Sequence, residues 1–180
     1  MVYRSGARGP RPGSVVCRTP VLSAFGSGTE NSPIGSGRSV IVASTYGYPY
    51  PAYPDHAGDS EPASAPFTGG MARVDVRRRG RGCVTRWESG VRSAAVPKLS
   101  LADGLIYTVT RSNPIGGTET SPLDVYSSTT VDPGSGKVVS SAPIGATTAY
   151  ESLQLAGNIG PGNVLWQGTI TGIVRIAPAG

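Results

Sequence analysis

Residues 97–110 read PKLSLADGLIYTVT. Two short runs, 97–101 and 105–110, flank Ala102, Asp103 and Gly104. The second run is β-branched and aromatic, and Asp-Gly is a tight-turn pair, so the stretch predicts a β-hairpin. The pattern recurs on either side. Upstream, NSPIGSGRSVIVAS (residues 31–44) predicts a strand over 31–35, a turn at 36–38 and a strand over 39–44. Downstream, ESLQLAGNIGPGNVLWQGTI (residues 151–170) predicts a strand over 151–156, a turn at 160–163 and a strand over 164–170. Each hairpin is followed by a third run, at 71–77, 125–132 and 172–177. The first two continue into a fourth, at 83–88 and 137–142. The turn glycines Gly37, Gly104 and Gly162 mark the repeat. Their spacing exceeds the ~40–50 residues of regular propeller repeats, and the excess falls in loops at 46–70 and 112–122.

Composition agrees with a turn-rich β protein. The 180 residues include 26 Gly and 16 Pro, nearly a quarter of the chain, and only 15% are charged. Helical bundles and coiled coils, rich in Ala, Glu, Lys, Leu and Arg, are excluded. No run approaches the ~18 apolar residues of a membrane helix, so no transmembrane segment is expected. Sixteen Lys and Arg against 11 Asp and Glu give a net charge of +5. The dense basic run, Arg77 to Arg79 with Arg81, lies between two expected strands and reads as a solvated turn, so no nucleic-acid partner is expected.

Cys17 and Cys83 are the two cysteines; they form either one bridge or two buried thiols. There is no CxxC and His56 is the single histidine, which excludes the usual zinc sites. A P-loop, a GxSxG elbow and a dinucleotide-binding glycine motif are all missing.

Four-stranded units repeated along a chain point to a β-propeller. The fold class expected is therefore all-β: a partial propeller of about three four-stranded antiparallel blades, at 28–89, 96–145 and 150–180. They form one domain over 15–180, behind a flexible Arg/Gly/Pro-rich tail at 1–14. The third unit lacks a fourth strand, which the run at 15–23 would supply. A compact sandwich of about ten strands is the alternative. Three blades cannot close a ring, so exposed blade faces and unpaired strands are expected, and self-association through them.

The segments GTENSPIGSGRSVIVASTYGY (28–48), GMARVDVRRRGRGCVTRWES (70–89) and VPKLSLADGLIYTVTR (96–111), with the closing segment 150–176, resemble a group of secreted actinobacterial-type β-propeller proteins. In repeat style these are similar to quinoprotein-like and lactonase-like propellers. The resemblance spans roughly residues 15–177. It implies a longer, exported chain of which this is a C-terminal part, located outside the cell or in its envelope. Residues 1–14 carry no apolar signal-peptide core. The group's acidic-amide cluster after Val42 is replaced here by Ala43, Ser44 and Thr45.

Propeller sites lie at the mouth of the central channel. In this scheme the innermost strands bring Glu30, Asn31 and Ser32, then Lys98 and Ser100, then Glu151 and Ser152. Glu30, Asn31 and Glu151 are candidate ligands for Ca²⁺, a hard cation that takes oxygen donors, and would serve a lactonase- or esterase-type hydrolase. Trp87 and Trp166 read as packing between blades, the alternative being stacking on a flat cofactor or a sugar. Tyr46, Tyr48, Tyr50 and Tyr53 alternate with prolines in a stiff loop suited to protein or carbohydrate contact. The function expected is a binding or scaffold module without catalysis. The Ca²⁺-dependent hydrolase comes second and a quinoprotein-like oxidoreductase third.

Overall fold

The computed structural model describes residues 2–3, 15–22, 33–44, 70–77, 82–112, 122–152 and 155–178. Among the described residues there is no α-helix, and the strands are antiparallel. The first large sheet holds β3 (Ile34–Ser36), β4 (Ser39–Ser44), β5 (Gly70–Val76) and β6 (Cys83–Ser89). The second holds β7 (Lys98–Leu99), β8 (Ile106–Ser112), β9 (Val125–Val131) and β10 (Val138–Ala146). The third holds β11 (Gly157–Ile159), β12 (Leu165–Thr169) and β13 (Gly172–Ile176). Each is a meander in which neighbours in sequence are neighbours in the sheet. The turn glycines Gly37, Gly104 and Gly162 all adopt left-handed φ (59°, 75° and 70°), a conformation glycine reaches without steric cost. The three hairpins that define the repeat thus share one turn chemistry.

Strand alternation sends residues of opposite parity to opposite faces. On the second sheet, Ile106 pairs with Val131, and both enter an apolar cluster with Ile41, Ala43 and Met71 of the first sheet. On its other face, Val109 and Tyr126 pack with Ala94 and Ala95. The middle sheet is therefore covered on both sides. The first seam, between sheets one and two, is closed at one end by Trp87, whose indole N–H donates to the Pro133 carbonyl at 3.0 Å. Arg73 Nη1 donates to the same oxygen at 3.0 Å. A Cβ at Gly136 would collide with the Trp87 ring, so the β9–β10 turn approaches the first sheet as closely as it does because that position is glycine.

The predicted strands agree with the first two sheets to within a few residues at each end. Three expectations are corrected. Glu151 and Ser152, expected to open a strand, lie outside any strand: they are buried and turn their polar groups to neighbouring segments, residues 153–154 lie outside the described residues, and the first strand of the third sheet begins at Gly157. The described part of the run at 15–23, residues 15–22, does not complete the third sheet. Only Val15–Cys17 is a strand (β2), and it pairs with Val2–Tyr3 (β1), two residues inside the stretch expected to be a tail. Trp166 is not packed between sheets, with 47% of its surface exposed.

Cys17 and Cys83 form a disulfide, with Cα atoms 5.7 Å apart. Five residues further along each segment, the Leu22 N–H donates to Glu88 Oε1 at 3.0 Å. Both anchors lie on the face of the first sheet that carries buried Ala72 and Val74, away from the seam. A loop spanning 66 positions gives about 4 kcal/mol of stabilisation on the chain-entropy account.

Candidate functional site

Among the described residues, the densest group of buried ionisable side chains lies where the second sheet meets the segment leading to the third. Register places Arg111, near the end of β8, opposite Tyr126 in β9. Asp124 sits directly before β9, and Glu151 follows a single 3-10 turn at Thr148–Tyr150. Arg111 Nη1 donates to Asp124 Oδ2 at 3.2 Å, with side-chain exposures of 1% and 0%. The Tyr126 hydroxyl donates to Glu151 Oε2 at 2.6 Å. Glu151 is also tied by its backbone: its N–H donates to the Thr148 carbonyl, and its carbonyl accepts from the Ile170 N–H at 2.9 Å. The Ser152 hydroxyl donates to the Ala94 carbonyl, and on the opposite face of β8 Ser93 shares a hydrogen bond with Thr108.

One cation and two carboxylates are thus held almost out of contact with water. Burial, and then the hydrogen bond to Glu151, push the Tyr126 phenol far above its usual range, so it stays a proton donor. Isolated buried charge costs several kcal/mol, so such groups persist only when paired and hydrogen-bonded. The arrangement joins β8, β9, the 93–95 segment, Glu151 and the β12–β13 turn. Its chemistry is adhesive: the hydroxyls are engaged with carbonyls, carboxylates or one another, and the cluster is buried.

A second polar contact joins equivalent turns of the second and third sheets. Asp103 Oδ2 accepts from Tyr107 Oη at 2.5 Å and from Asn163 Nδ2 at 3.0 Å, and Asp103 Oδ1 accepts from the Leu105 N–H. Ser100 Oγ donates to Asn163 Oδ1 at 3.2 Å. Burial and the Asp103 contact push Tyr107 up to about 12. Close by, Val96 makes a parallel bridge to Ala156. A third polar group edges the first seam. Asp75 accepts from Ser39 and Arg73 through Oδ1 and from Arg86 through Oδ2, at 2.7–2.9 Å. Burial would raise its carboxyl, but the hydrogen bonds from Arg86, Ser39 and Arg73 outweigh it and hold the group at about 2.

Of the candidate metal ligands, Glu30 and Asn31 lie outside the described residues, while Glu151 is 1% exposed and committed to Tyr126. No group of three or more His, Cys, Asp or Glu positioned for a metal occurs among the described residues. Tyr46, Tyr48, Tyr50 and Tyr53, together with His56, lie outside the described residues. Lys98 is half-buried, which lowers its ammonium's pKa, and its Nζ donates to the Val96 carbonyl. Arg111, Asp124 and Tyr126 were missed by the sequence reading. Their one local signal is that Arg111 continues the Tyr107–Val109 side of β8, a charge on an apolar face.

The outer face of the third sheet is different in kind. Trp166 pairs with Arg175, whose guanidinium carbon lies 5.8 Å from the indole centroid. Ile173 is paired with Gly168, against which Leu155 packs. Leu155, Trp166, Ile170 and Ile173 are all exposed. Among the described residues no helix is long and apolar enough to cross a membrane. Compared with known proteins, the chain matches no family model and has no curated relative detectable by sequence.

Proposed function

We propose that this chain is an arc of propeller-type blades that works as a binding scaffold without catalysis of its own, making protein contacts through the outer face of its third sheet. The observation that carries the reading is the meeting of like with like. The segments that open the second and third sheets bridge in parallel at Val96 and Ala156, and their first turns meet at Asp103 and Asn163. Radially repeated blades bring equivalent strands and turns together in this way, whereas a two-layer sandwich has no such requirement. The scaffold role is supported by the use of the buried carboxylates to join sheets, and by the exposed Trp166, Ile173 and Leu155 on one sheet face. Exposed apolar patches of this kind commonly mark contact surfaces.

The test is a calorimetric Ca²⁺ titration of the folded chain, with hydrolysis of chromogenic esters and lactones followed in parallel. The scaffold reading expects no saturable heat and no turnover above the buffer rate. Saturable Ca²⁺ binding, with turnover abolished by a chelator, would overturn it in favour of the hydrolase.

A further inference from the structure

We propose that β13 is a self-pairing edge, through which two copies of this chain join antiparallel to form one continuous six-stranded sheet. Among the described residues β13 pairs with β12 alone. The outer strands of the two four-stranded sheets are each guarded against pairing with another chain. β10 contains Pro143 and two register shifts. The β5–β6 ladder shifts register between Arg73 and Val74, skipping Arg86, so β6 carries a bulge. Proline, bulges and covering segments are the usual means of blunting an edge. Among the described residues β13 has none of them: GIVRI pairs with β12 without a register shift, and its one charge, Arg175, leans over Trp166.

The register follows from the hairpin. Gly172 pairs with Thr169 across the two-residue turn Ile170-Thr171, which makes that pair and Gln167–Val174 the hydrogen-bonded ones. Ile173 and Arg175 therefore turn their N–H and C=O groups outward. A two-fold axis at Val174 sets Ile173 of one copy against Arg175 of the other. Both pairs then exchange hydrogen bonds, and no arginine opposes another. The same operation places both Trp166–Ile173 faces on one side of the joined sheet. Ile173, 74% exposed in the single chain, then lies opposite the Arg175 stem and diagonal to the Ile173 of the other copy, within side-chain reach of it. This pairing stands on the β13 edge alone and not on the scaffold reading; turnover would sink that reading without touching this one.

The test is sedimentation equilibrium of the full chain with Ile173→Pro and Arg175→Pro. Each substitution removes an outward N–H and leaves the β12 ladder intact. The wild type is expected to approach twice the monomer mass with rising concentration, and both variants to remain monomeric with an unchanged far-ultraviolet spectrum. Hydrogen exchange on the wild type gives a second readout that needs no variant. Protection of the Ile173 and Arg175 amides should rise with concentration, while that of Val174 stays constant. A wild type that is monomeric at all concentrations, or whose Ile173 and Arg175 amides show no concentration dependence, overturns the proposal. So does dimerisation that persists in both folded variants.

Discussion

The two seams of this molecule are built from different materials. Between the first and second sheets, Ile41, Ala43, Met71, Ile106 and Val131 make an apolar contact, with the buried hydroxyls of Thr108 and Thr129 on the same face of the second sheet. Between the second sheet and the segment leading into the third, Arg111, Asp124, Tyr126, Glu151 and Ser152 bury charge and hydrogen bonds. An apolar seam is tolerant of exchange among side chains of similar volume, because dispersion and burial are non-directional. A polar seam holds only if its partners meet in one geometry, so it specifies position at a cost in tolerance. The first seam therefore supplies bulk stability, and the second fixes where the third sheet sits.

Removing one charge from the second seam is expected to have the largest effect. Arg111→Met leaves Asp124 buried beside an apolar chain and should cost about 3–5 kcal/mol in urea unfolding. Adding Asp124→Leu should recover most of that loss, because two apolar groups of similar volume replace a buried pair with little penalty. Should the double variant be no better than the single, the ion pair is not what the seam depends on. Next is Met71→Ala in the first seam, expected to cost about 3 kcal/mol by lost burial and a residual cavity. Met71→Leu should cost under about 1.5 kcal/mol, and a larger loss there would make the apolar seam as exacting as the polar one.

Smaller, and opposite in sign along the pH axis, are the titration effects. Asp75 is held at about 2 against an ordinary 3.8, so its contribution is complete above about pH 4 and is lost as pH falls towards 2. Asp75→Asn should flatten that acid limb. Tyr126 is raised above its ordinary 10, so its contribution is complete below about pH 10 and is lost as pH climbs beyond it. Tyr126→Phe should remove part of that alkaline limb, leaving the share of Tyr107, pushed up to about 12. Chemical denaturation across pH would read both. An Asp75→Asn protein with an unchanged acid limb would argue that its ion pairs with Arg73 and Arg86 are solvated away.

The strands of the first two sheets were legible in the sequence and the polar seam was not, for a physical reason. SVIVAS and LIYTVT announce strands by local pattern, and the Gly37, Gly104 and Gly162 turns set their pairing, so the two four-stranded meanders follow from neighbours in sequence. Glu151 was misjudged because its environment comes from Tyr126 and the Thr148–Ile170 region, contacts that no local window contains. ESLQLA looks like a strand for the same reason: its alternation is genuine, but Glu151 and Ser152 use their polar groups across the seam instead of along a ladder. The run at 15–23 was assigned to the third sheet by counting strands. The Cys17–Cys83 link carries it to the first instead.

The most direct test of the polar seam is a double-mutant cycle on its central hydrogen bond, using Tyr126→Phe, Glu151→Met and the two together, with stability measured by urea unfolding. A bond donated to a buried carboxylate predicts that the two single losses overlap, with a coupling of about 2 kcal/mol. Losses that simply add would mean that Tyr126 and Glu151 act independently, and would contradict the claim that this contact fixes the third sheet against the second.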